Sequence, residues 1–97
     1  MDRLALTKAI AQHETVYCTK GSGATHNNCG GIMTWKNGPR EFARFETKQE
    51  SFDYMYGLIG RMYAKMTLKQ MAVKYSGNDR AEAWESNVKY WYEKFNK

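Results

Sequence analysis

Residues 2–17 read DRLALTKAIAQHETVY and predict the first helix of the chain, from about Asp2, which can cap it, to Tyr17. Leu6, Ala9 and Ile10 recur at the spacing of one helix face, which predicts an amphipathic helix. Glu14 follows Ile10 by four residues and therefore falls on the same apolar face. A carboxyl group aimed at a core has a raised pKa and suits a general acid. The alternative is a half-exposed Glu at a helix end that accepts a bond from a loop N–H.

The remainder of the chain predicts one hairpin and three further helices. Glycine is frequent over residues 18–45, where two short stretches of strand-like composition, 32–35 and 41–45, flank a turn signal at 36–38. Three helical patterns follow, each preceded by a capping residue: Thr47, Thr67 and Asp79. The predicted fold is mainly α (α+β), with about four helices and a small hairpin or loop wall between helix one and helix two.

Length and charge limit the function classes. The 97 residues predict a single domain over 1–97, and no apolar run has the length of a membrane span. The formal charge of +5 fits an anionic partner, such as nucleic acid, an acidic glycan or a membrane surface, and equally fits a merely soluble surface. No signal-peptide pattern is visible. We expect a monomer with no membrane span.

Cys18 and Cys29 flank the glycine-rich loop and form a candidate disulfide in an oxidising compartment, or two thiols in the cytosol. Together with His13 and His26 they are also conceivable zinc ligands. Their spacing is poor for zinc, because structural sites begin from tight Cys-x2-4-Cys pairs. We therefore predict no metal and no cofactor.

Residues 67–92 have the order of a helix-turn-helix, a short helix, a turn with glycine and a longer helix. A DNA-binding protein is accordingly an alternative function. The second helix begins with Asp79, Glu82 and Glu85, which would repel phosphates. No nucleic-acid partner is expected.

Five segments carry a family resemblance. Residues 9–15, AIAQHET, resemble the helix of lysozyme-like transglycosylases that ends in their catalytic Glu. Residues 27–33, NNCGGIM, resemble a sugar-contacting segment of the same superfamily, closest to the peptidoglycan glucosaminidase and phage endolysin branches. Residues 41–45, 66–77 and 87–92 are similar to its hairpin and later helices. The segments occur in the family order along nearly the whole chain.

The resemblance implies a small lysozyme-like fold that cleaves peptidoglycan glycan strands. Glu14 maps onto the catalytic acid. The residues that map onto sugar-contacting positions are Thr15, Asn28, Ile32, Met33, Thr34 and Tyr75. The place of action would be the cell wall, reached as a periplasmic, extracellular or phage-delivered protein.

The number of carboxylates bears on the reaction. Glycosidases usually use two carboxyl groups, yet no Asp or Glu occurs between Thr15 and Arg40. A lytic transglycosylase with Glu14 as its single acid is therefore the predicted function. The alternative is a lysozyme-type hydrolase whose second carboxylate is Glu41 or Glu46, and a third class is a catalytically inactive wall-binding protein.

Overall fold

The computed structural model describes residues 1–35, 38–62 and 64–97, so part of the predicted turn at 36–38 lies outside the described residues. The described residues form five helices and a two-stranded antiparallel sheet. Their bounds are α1 Arg3–Thr15, α2 Ser22–Thr25, β1 Met33–Thr34, β2 Glu41–Phe42, α3 Lys48–Met62, α4 Leu68–Ser76 and α5 Ala81–Phe95. The predicted mainly helical fold is confirmed, with its small hairpin between the first and second long helices. The one-turn helix α2 within the loop was not predicted.

Helix α1 begins as the sequence predicts and ends earlier. The Asp2 carboxylate accepts the Ala5 N–H at 2.8 Å and caps the helix. The helix stops at Thr15 because Val16 and Tyr17 adopt positive φ angles of 48° and 53°. Their N–H groups turn back to the last carbonyl groups of α1, so the helix end is satisfied within the chain.

The core is built around α1, which packs against α3 and α5, while α4 packs against α5. Ile10, Met55 and Val88 are among the largest fully buried side chains, one from each of α1, α3 and α5. These apolar contacts hold the three long helices together. The C-terminal end of α1 therefore has a fixed position between α5 and the glycine-rich loop.

The later helices begin with different caps. Thr67 and Gln70 form the predicted reciprocal capping box of α4. The predicted cap of α5 at Asp79 is wrong, because α5 begins only at Ala81 and its N-cap is Arg80. Residues 77–80 are used in a turn instead, in which the Arg80 N–H donates to the Gly77 carbonyl at 3.3 Å.

The candidate disulfide between Cys18 and Cys29 is formed. Cys29 is fully buried and Cys18 nearly so, and the bond ties the residues after α1 to the glycine-rich loop. A Cβ atom at Gly23 would lie 2.6 Å from the Cys18 Cα atom, so only glycine permits this close approach.

Removing the disulfide should destabilise the fold without abolishing it. On the chain-entropy model, the Cys18→Ala/Cys29→Ala variant loses about 3 kcal/mol of unfolding free energy, because the unfolded chain gains the freedom of the opened loop. Urea denaturation with and without a reducing agent measures this. The reducing agent should shift the urea midpoint of the wild type and leave that of the double variant unchanged. Equal midpoints for the two proteins without reducing agent would contradict the expectation.

Candidate active site

Glu14 lies in the last turn of α1 and is half-buried against α5. The Trp84 indole N–H donates to Glu14 Oε1 at 2.8 Å. Trp84 is only 2% exposed. The Tyr75 ring stacks on it at a centroid distance of 5.2 Å, and the His13 ring meets it edge-on at 5.9 Å. The carboxyl group therefore has one oxygen held by a rigidly packed aromatic cluster.

Burial dominates the acidity of Glu14. Desolvation raises the pKa of this carboxyl above its usual value, while the hydrogen bond from Trp84 acts in the opposite direction and lowers it by less. The net effect is a carboxyl group that keeps its proton to higher pH than an exposed glutamate. A half-buried group of this kind can donate a proton to a bound molecule and take one back.

The other oxygen of Glu14 faces the glycine-rich loop. Oε2 is 3.4 Å from the position that a Cβ atom would take at Gly31. Gly31 also has a φ of 64°, a conformation that side chains disfavour. Residues 28–34, here called the glycine wall, therefore come closest to the carboxyl group at Gly31.

A pocket of about 430 Å³ opens beside Glu14. Its size is in the range of small-ligand sites. Burial lowers the pKa of His13, so this ring is neutral at neutral pH. Among the described residues that line the pocket, Arg80 therefore carries the positive charge. The lining residues are His13, Glu14, Tyr75, Ser76, Arg80, Ala83 and Trp84.

Asn28 holds the glycine wall in place from inside. Its side chain is fully buried, and its Oδ1 accepts the Ile32 N–H at 2.9 Å. Its Nδ2 donates to the carbonyl groups of Ile32 and Ala43, each at 2.8 Å. One carboxamide thus fixes the turn around Gly31 and joins it to the segment that follows β2.

Thr15 anchors the same wall to α1. Its hydroxyl donates to the Cys29 carbonyl at 2.8 Å and accepts the Cys18 N–H at 2.8 Å. Thr15 and Asn28 are 2% and 0% exposed, which corrects their predicted place on the sugar-contacting face. Both side chains spend their hydrogen bonds on backbone groups in and around the wall. They therefore hold Glu14 and Gly31 in position and do not reach a ligand.

The other predicted site residues are spread over two walls. Ile32, Met33 and Thr34 are partly exposed in the glycine wall, and Tyr75 lines the pocket from α4. Glu41 and Glu46, the candidate second carboxylates, are exposed. Glu41 pairs with Thr34 in the hairpin, and Thr34 is three residues beyond Gly31 in the glycine wall. Among the described residues, Glu14 is the one carboxylate of the pocket lining.

Trp84 is a site residue that the sequence did not single out. It lies among the buried apolar residues of α5, where helical spacing alone indicates only a core position. A buried tryptophan nevertheless needs an acceptor for its indole N–H. Glu14, a carboxylate on an apolar helix face, needs a hydrogen-bond donor. These two requirements together would have predicted a bond between Trp84 and Glu14.

Comparisons with family models, with curated proteins and with solved structures each found no match for this chain. Within the described part of the chain, no helix has both the length and the hydropathy needed to cross a bilayer. The same residues contain no group of three His, Cys, Asp or Glu side chains placed to hold a metal ion. Cys18 and Cys29 are joined to each other and are not thiolate ligands.

Proposed function

We propose that this protein is a peptidoglycan-cleaving glycosidase that acts on the β-1,4 bond between N-acetylmuramic acid and N-acetylglucosamine. The observation that carries the proposal is the half-buried Glu14 carboxyl, with its raised pKa, at the edge of an open pocket. Two of the segments that resemble lysozyme-like enzymes, 9–15 and 27–33, come together at Glu14 and Gly31. Their proximity supports the proposal, because nothing in the sequence alone requires these two segments to lie side by side.

The reaction that best fits one carboxyl is that of a lytic transglycosylase. Glu14 donates its proton to the glycosidic oxygen, and the bond from that oxygen to the muramic acid C1 breaks. The resulting carboxylate then takes the proton from the C6 hydroxyl of the same sugar, whose oxygen bonds to C1 and closes a 1,6-anhydro ring. The substrate N-acetyl group stabilises the positive charge at C1 between these steps.

The hydrolase alternative requires a second carboxylate that positions water. The two carboxyl groups of glycosidases are about 5–5.5 Å apart in retaining enzymes and roughly 6.5–9.5 Å apart in inverting ones. Glu41 and Glu46 are exposed and lie outside the residues described as lining the pocket, which favours the single-acid version.

The helix-turn-helix alternative fits the structure less well. In α5, the buried side carries Trp84, whose indole N–H is already bonded to Glu14. The exposed start of the helix presents acids, Asp79 before it and Glu82 in its first turn, which repel phosphate groups.

Incubating the purified protein with purified bacterial walls tests the proposal against the DNA alternative. We expect soluble glycan fragments to appear in proportion to enzyme and time, and a fluorescence titration with duplex DNA to give no binding at physiological salt. Binding to DNA that weakens steeply with salt, with no release of fragments, would favour the helix-turn-helix function.

The pH dependence of cleavage should follow the protonated form of Glu14. Because burial raises the pKa of Glu14, kcat/KM should stay high beyond the pH at which an ordinary glutamate has ionised, and should fall as pH rises through the raised value. Initial rates of fragment release in buffers of constant ionic strength measure this. A fall already complete in the range of an exposed carboxyl would contradict the assignment.

A further inference from the structure

The two oxygens of Glu14 have different surroundings. Oε1 accepts the Trp84 indole N–H at 2.8 Å. Oε2 is the oxygen on the side of Gly31, 3.4 Å from the position that a Cβ atom would take there. An oxygen that accepts a hydrogen bond from a donor-only group is the poorer place for the carboxyl proton, because the hydroxyl oxygen of a carboxylic acid is a weaker acceptor than its carbonyl oxygen.

We propose that Trp84 is a positioning residue that confines the acidic proton of Glu14 to Oε2, so that this oxygen, the one near Gly31, protonates the glycosidic oxygen. This inference rests on the proposed function. The proton leaves Oε2 for the glycosidic oxygen, and the same oxygen receives the C6 hydroxyl proton in the second step. Trp84 stays bonded to Oε1 throughout and exchanges no proton.

The packing around Trp84 makes its N–H a fixed donor. Its ring is held between Tyr75 on one face and the edge of His13, and His13 is itself in contact with the Asn87 side chain one turn further along α5. Rotating the indole away from Glu14 would therefore require three elements, α1, α4 and α5, to repack.

The charged and titratable groups that face Glu14 come from each of these elements. They are His13 of α1, neutral because burial lowers its pKa, Tyr75 of α4 and Arg80 at the start of α5. Arg80 is exposed, so solvent weakens its effect on the carboxyl. The Trp84 N–H, in contrast, contacts the Glu14 carboxyl directly, and a single substitution at Trp84 removes it.

The variant Trp84→Phe removes the N–H and keeps an aromatic ring in the stack with Tyr75. We expect kcat at its low-pH plateau to fall about tenfold, since the carboxyl can then turn and place its proton on either oxygen, while KM changes little. We also expect the alkaline limb of the pH profile to move to higher pH, because the lost hydrogen bond favoured the charged form of Glu14. Trp91→Phe, the same exchange in α5, is the matched control and should change neither quantity.

A merely structural role for Trp84 would lower the amount of folded enzyme and leave the pH limb in place. An unchanged limb in folded Trp84→Phe, or an unchanged kcat, would overturn the inference. A carboxyl-carbon NMR titration of Glu14 in both proteins provides a readout that needs no substrate, and it should show a higher pKa in Trp84→Phe. If Glu14→Gln kept full activity, the proposed function would fail independently of this titration.

Discussion

Glu14→Gln is expected to reduce the release of soluble fragments from bacterial walls by about 10²–10⁴-fold, the usual contribution of general acid catalysis. The amide cannot donate an acidic proton to the glycosidic oxygen. It has nearly the same shape as the carboxyl, and its oxygen can still accept the Trp84 N–H that now bonds to Oε1. The loss should therefore be chemical rather than structural. Initial rates at equal concentrations of folded protein measure it.

The stability of Glu14→Gln provides its control. A raised folded-state pKa means that the stability contributed by protonated Glu14 is full below its unfolded-state pKa and is lost as pH rises through the folded-state value. As pH rises the wild type loses this contribution, whereas the amide does not titrate and keeps its stability. Glu14→Gln should be at least as stable as the wild type at neutral pH by urea denaturation. Glu93→Gln, an exposed position in α5, should change neither stability nor activity.

Full activity in a folded Glu14→Gln protein would remove the catalytic role of this residue. A variant that is both inactive and much less stable than the wild type at neutral pH would show instead that Glu14 holds the helices together. The two measurements separate these outcomes, since activity is expected to fall while stability is retained.

Asn28→Ala should combine a large loss of stability with a loss of activity. The carboxamide makes three hydrogen bonds to buried or partly buried backbone groups of Ile32 and Ala43. A polar backbone group left without its partner costs roughly 1–3 kcal/mol, so we expect the unfolding free energy to fall by about 3–4 kcal/mol. The glycine wall beside Glu14 would then lose its fixed distance from Oε2. Urea denaturation and fragment-release rates on the folded fraction test both effects.

Asn96→Ala is the matched control for Asn28→Ala, because Asn96 is exposed at the end of α5. It should leave the wall, and with it the rate, unchanged. A folded Asn28→Ala protein with wild-type kcat would mean that the position of the glycine wall does not affect Glu14.

Local sequence patterns were enough to predict the framework of the site. The helical spacing of Leu6, Ala9 and Ile10 placed Glu14 on the buried side of α1, and the composition of the loop predicted the hairpin. Both features depend on neighbours within one element. The strands are shorter than predicted, two residues each, and beyond them the segment is held by the Ala43 N–H bond to the Ile32 carbonyl and by the Asn28 side chain.

The contacts that define the chemistry join residues distant in sequence, and local patterns do not show them. The bond between Trp84 and Glu14 spans 70 positions. A polar side chain in a glycine-rich loop can equally face a ligand or the loop itself. The family resemblance assigned Asn28 and Thr15 to sugar-contacting positions, and only the three-dimensional arrangement shows that they bond to the backbone of the wall.

Mass spectrometry of the fragments released from purified peptidoglycan shows whether a single proton-bearing carboxyl group cleaves the glycan. We expect 1,6-anhydro products, one water lighter than hydrolysed ones, from the wild type and none from Glu14→Gln. Fragments of the hydrated mass would contradict the single-acid reaction and favour a water positioned by Glu41 or Glu46. No soluble fragments, or the same fragments from Glu14→Gln, would contradict the catalytic role of Glu14 itself.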